Sequence, residues 1–173
     1  YALASSASSA RVWREETYRE AGVKIARLAH YLKAKGVSAG TTVAILSSTR
    51  TEWMLADMAA QTLGAIVVSV YQSLTAAEAG FIIYDSKASF VFIENEEQAR
   101  KIDWLNKNPC PIPEREDIPA SNERLNLSTI IAFETISSLS GIDVVRDIVE
   151  NRSLPSSPPC LLYTSPSPRD ATL

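Results

Sequence analysis

Hydrophobic and polar positions follow two rhythms along this chain. In TYREAGVKIARLAHYLKAKG, residues 17–36, Ala21, Ile25, Leu28 and Leu32 recur every three or four places with charges between them. That spacing predicts one buried stripe on an α-helix. Thr17 and Glu20 stand at capping-box spacing at its start, and Gly36 stands where a left-handed C-cap would close it. The five basic residues from Arg19 to Lys35 also fit a helix lying on a membrane surface. Packing against a core explains the same stripe without a membrane.

The second rhythm is a short apolar run with no polar alternation. TVAIL (42–46), AIVVSV (65–70), ASFVFI (88–93) and STIIAF (128–133) are runs of this kind, rich in β-branched residues. Helical patterns separate the first three: SSTRTEWMLADMAAQTLG (47–64), with Thr49 and Glu52 at capping-box spacing and Gly64 as the stop, then TAAEAGFIIYDS (75–86), opened by Thr75 and Glu78. NEEQARKIDWLNK (95–107) is the next helix, and GIDVVRDIVENRS (141–153) holds a short one. Strands that are apolar at consecutive positions are buried on both faces. The order therefore predicts an α/β fold, a doubly wound and mainly parallel sheet with helices on both faces and right-handed crossovers.

Residues 106–127 break this rhythm, with four prolines and no period, so they read as a surface excursion or an insertion. Residues 1–16, small, serine-rich and basic, read as a flexible lead-in to the domain. A targeting peptide is the alternative for them, but no apolar core segment supports it. The domain proper is expected over residues 17–150, followed by a linker at 151–159.

Composition narrows the functional classes. The net charge of -3 comes from interspersed signs, which leaves no footprint for nucleic acid. No stretch approaches the roughly 20 consecutive apolar residues of a membrane span. Two cysteines, Cys110 and Cys160, make neither a disulfide framework nor a metal knuckle, and fit a reducing compartment.

Chemistry-bearing motifs are sparse. There is no Gly-x-Gly fingerprint, no Gly-x-x-x-x-Gly-Lys loop, no Gly-x-Ser-x-Gly elbow and no His-Glu-x-x-His. His30, the single histidine, has no partner in sequence and reads as a surface or interfacial residue. Glu94, Glu96 and Glu97 could mimic an acid/base pair, but acidic residues at a helix start complement its dipole, and that plainer reading is preferred. Ser47 to Arg50 gather hydroxyls, an arginine and amides after a strand, where an anion could bind; an N-cap beside a solvated arginine is the plainer account. Asn126-Leu127-Ser128 and Asn151-Arg152-Ser153 fit the glycosylation tripeptide, with nothing else pointing to secretion.

Taken as an ordered series, the words TYRE, KGVSAGTTVAIL, EWMLADMAAQTLGAIVVSVY, SLTAAE and FVFIENEEQ resemble the N-terminal region of AMP-forming acyl-CoA synthetases. Within that adenylate-forming superfamily the long-chain fatty-acid CoA ligases look most similar. The resemblance covers roughly Trp13 to Lys101, with a weaker continuation through STIIAFETI and GIDVVRDIVE. It implies a large N-terminal domain of doubly wound sheets, of which this chain holds an incomplete part. It also implies that the parent uses ATP, magnesium and coenzyme A to convert a fatty acid to acyl-CoA through an acyl-adenylate. A related ligase acting on aryl or amino acids, or a small stand-alone non-catalytic α/β binding domain, remains the alternative.

The family's phosphate-gripping loop reads Y-T-S-G-T-T-G-x-P-K-G, and this chain reaches only Tyr163, Thr164 and Ser165 before Pro166 and Pro168. Proline removes an amide donor and fixes φ, so this run is unsuited to wrapping N–H groups round a phosphate. Residues Cys160 to Asp170 are identical to the in-frame translation of a common transposase sequencing adapter. Residues 160–173 are therefore expected to be non-native. No residue of the chain is assigned a catalytic, cofactor-binding or metal-binding role, and the fragment alone is expected to be inactive. A cytoplasmic place, or one at the periphery of an intracellular membrane, is expected.

Overall fold

The computed structural model describes residues 15–108 and 126–157. Five strands form one parallel sheet: β1 (Thr42–Leu46), β2 (Ile66–Val70), β3 (Phe90–Ile93), β4 (Thr129–Ala132) and β5 (Asp143–Val144), in the order β2-β1-β3-β4-β5. The helices are α1 (Tyr18–Ala34), α2 (Thr51–Thr62), α3 (Ala76–Asp85), α4 (Glu96–Lys107) and α5 (Val145–Glu150). The doubly wound α/β expectation therefore holds, and each predicted strand lies within its apolar run.

Coverage explains the apolar runs of β1, β3 and β4; β2, also expected to be buried on both faces, instead ends the strand order with Ile66 and Ser69 exposed. Val43 and Ile45 of β1, Phe90 and Phe92 of β3 and Ile131 of β4 point to one face, packed with α1, α2 and α5. Their neighbours Ala44, Leu46, Val91, Ile93 and Ala132 point to the other, packed with residues of α3 and α4. All four residues of β3 are buried, so a polar side chain at any of them would lose water without a partner.

The winding across the sheet reverses once. β1 to β2 steps one way and β2 to β3 crosses back over β1, so crossovers of equal hand require α2 and α3 on opposite faces, which is where they lie. From β4 to β5 there is no helix. Ile136, Leu139 and Ile142 of that connection pack on the α3–α4 face in its place.

Two of the three predicted capping boxes form. At α1, Thr17 Oγ1 accepts from the Glu20 amide at 3.2 Å while Glu20 accepts from the Thr17 amide at 2.8 Å. At α3, the amides of Glu78 and Thr75 are answered by Thr75 Oγ1 and the Glu78 carboxylate at 3.3 and 2.9 Å. The box expected from Thr49 and Glu52 does not form. Arg50 is the N-cap of α2 and makes no side-chain cap, so Glu52 is the second helical residue and not the third, and its carboxylate binds Arg50 Nε at 2.8 Å.

Two glycines show why a side chain is excluded. Gly64 ends α2 at φ +71, left-handed backbone that a side chain disfavours. Gly80 lets α3 approach α4 so closely that a Cβ there would sit 2.3 Å from a Leu105 methyl. The proline-rich excursion falls mostly on residues 109–125, and it, Cys110, the lead-in up to residue 14 and the tail from residue 158 lie outside the described residues.

Candidate functional site

In a doubly wound sheet, ligands bind beyond the carboxyl ends of the strands, where the winding reverses. Here that point lies between β1 and β3. The turn after β1 carries Ser47 to Arg50, and Glu94 follows β3 directly, so the fold brings the two sequence candidates together.

The Ser48 amide of this turn is already taken. Glu94 Oε2 accepts from the Ser48 backbone N–H at 2.8 Å, and Glu94 Oε1 accepts from the Ser48 hydroxyl at 2.8 Å. Ser47 is turned away, its hydroxyl donating to the Ser48 carbonyl at 2.7 Å. The anion held at this strand end is the protein's own carboxylate.

Arg50 extends the clasp. Its guanidinium reaches Glu52 at 2.8 Å, Glu94 at 3.5 Å and Glu134, just past β4, at 2.6 Å, and it lies over the Phe133 ring with its centre 5.9 Å away. Burial works against its charge, but the hydrogen bonds and charges of Glu52 and Glu134 raise its pKa above the ordinary arginine value. One arginine thus ties together the ends of three neighbouring strands.

A cleft of about 1040 Å³ opens beside this clasp, between α1, α2, α5 and the end of β4. Arg19, Arg27, Arg50, Phe133, Val149 and Arg152 are among its lining. Six basic side chains are offset there by five glutamates, and Arg27 is spent on the Val149 carbonyl at 2.7 Å. Such mixed signs do not build the single-sign field that concentrates a polyanion.

The remaining sequence candidates are scattered. His30 Nε2 lies 2.9 Å from the Ser157 carbonyl, an interfacial contact between α1 and the segment after α5. Glu96 and Glu97 occupy the first turn of α4, Glu96 accepting from the amides of Ser137 and Ser138 at 2.9 and 3.1 Å; the Ser138 side chain first, and then these amides, hold its carboxyl below the usual range. Asn151 turns its side chain to the Ser153 amide and hydroxyl at 3.0 and 2.7 Å. Tyr163, Thr164, Ser165 and Cys160 are outside the described residues.

Two features escaped the sequence reading. Glu134 carried no motif, and only the parallel register of β3 and β4 sets it beside Glu94. Asp143, on the two-residue β5, accepts from the Tyr31 hydroxyl and lies 3.2 Å from Lys35. The Tyr31 hydrogen bond, reinforced by Lys35, lowers the pKa of Asp143, while burial and Asp143 raise that of Tyr31. Among the described residues no group of three metal-ligating side chains converges, and no helix is long and apolar enough to cross a membrane.

Comparison with known proteins fits this architecture. The family model described as "AMP-binding enzyme" matches residues 3–167. The long-chain-fatty-acid–CoA ligases FadD15 of Mycobacterium bovis and of Mycobacterium tuberculosis are each 30% identical over 155 residues, covering 89% of this chain and 25% of the relative. This chain thus spans about a quarter of the length of these relatives. Among solved structures, the anthranilate CoA ligase AuaEII with anthranoyl-AMP superposes with a TM-score of 0.68 at 22% identity, over 86% of this chain and 25% of that one. The N-terminal domain of FACL13 from Mycobacterium tuberculosis gives 0.62 at 22% identity, over 84% and 31%. Those two likenesses concern the fold. With a family match over nearly its whole length and the sheet that goes with it, this chain belongs to the AMP-binding enzyme family.

Proposed function

We propose that this chain is a scaffolding section of the large domain of a long-chain fatty-acid CoA ligase. The parent reaction is fatty acid, ATP and coenzyme A to acyl-CoA, AMP and pyrophosphate, through an acyl-adenylate. The observation that carries the reading is the 30% identity to the two mycobacterial long-chain ligases over 155 residues.

The described residues do not fit ATP phosphates. Glu94 occupies the Ser48 amide at the end of β1, and Glu52 and Glu134 beside it would repel a second negative group. No step of the reaction is assigned to them. Their part is to hold the strand ends in register for a site built elsewhere in the parent.

As a 173-residue polypeptide, the chain is expected to show neither palmitate-dependent ATP–pyrophosphate exchange nor thioester formation with coenzyme A. Turnover in either assay overturns that expectation. For the parent, the source reading frame would be followed past residue 157 and the full product assayed with palmitate, benzoate and an amino acid. Preference for palmitate supports the long-chain reading, and preference for either of the others moves the parent to a different branch.

The boundaries proposed are a domain over 17–150 and a linker at 151–159, with residues 160–173 translated from adapter. Sequencing the source locus across the codons for Leu154 to Leu173 tests the last point. A frame running into a Gly-Thr-Thr-Gly loop supports it, and a genomic match to CLLYTSPSPRDATL sinks it.

A further inference from the structure

We draw no further inference here: the strongest candidate, the cleft of about 1040 Å³ between α1, α2, α5 and the end of β4, carries nothing, because its lining mixes both signs of charge and, in a chain that spans about a quarter of the length of its relatives, nothing in the structure shows what covers it.

Discussion

Glu94 and Ser48 fasten the ends of β3 and β1 to each other, one carboxylate accepting both the amide and the hydroxyl of the serine at 2.8 Å. The Glu94 side chain is 14% exposed, so its loss leaves two donors poorly served by water. Glu94→Ala is expected to cost about 2 kcal/mol, in the range for a hydrogen-bonded charged group, and Glu94→Gln less because it keeps one acceptor. Urea unfolding midpoints measure both, and an unchanged midpoint for Glu94→Ala contradicts the clasp.

Arg50 is the cation shared by Glu52, Glu94 and Glu134. Arg50→Met leaves the three carboxylates facing one another and is expected to lower stability by about 1 to 2 kcal/mol. Lysine should recover only part, since it lacks the guanidinium fork. Because the new repulsion is screened, the deficit should shrink between low and high salt; a deficit independent of salt argues against it.

Asp143 anchors β5 to α1 through Tyr31 and Lys35. Its pKa is lowered in the fold, so the stability it contributes is present above its unfolded value near 3.8 and is lost as pH falls through the folded value. The pKa of Tyr31 is raised, so its contribution is present below 10.0 and fades as pH climbs above that. The stability gap between the wild type and Tyr31→Phe is thus expected to be widest between about pH 5 and 9 and to narrow on both sides. A gap that stays flat from pH 3 to 11 would count against the pairing.

Gly80 and Leu105 set the approach of α3 to α4. Gly80→Ala gains helix propensity of about 1 kcal/mol but drives its methyl into Leu105, which is 1% exposed. The substitution should destabilise the wild type and stabilise a Leu105→Ala background. A double-mutant cycle reads that coupling, and additive effects exclude the close contact.

Helix caps separate the formed boxes from the unformed one. Thr75→Ala should cost about 1 kcal/mol, because Thr75 closes its box with Glu78. Thr49→Ala should cost no cap, since α2 begins one residue too late for Thr49 to serve. Equal losses from both substitutions would refute the assignment.

Sequence alone determined the local elements of this protein. Apolar runs without alternation mark strands covered on both faces, and β1 and β3 are buried as those runs require. Helix starts were legible where a threonine sits three residues before a glutamate that has no competing partner. At α2 that glutamate had one only two residues back, Arg50, which Glu94 and Glu134 hold at the strand ends, and the capping signal was overridden.

Long-range pairing was decided only by the folded chain. β5 is too short for any period to reveal, and Glu134 carries no motif, yet the parallel register of β3 and β4 sets it beside the clasp. The sequence placed a possible anion site at Ser47 to Arg50, because hydroxyls and amides after a strand have that chemistry. Whether the site is open depends on a carboxylate 46 residues away along the chain. Local propensity carries no information about such a distant contact; strand order and register supply it.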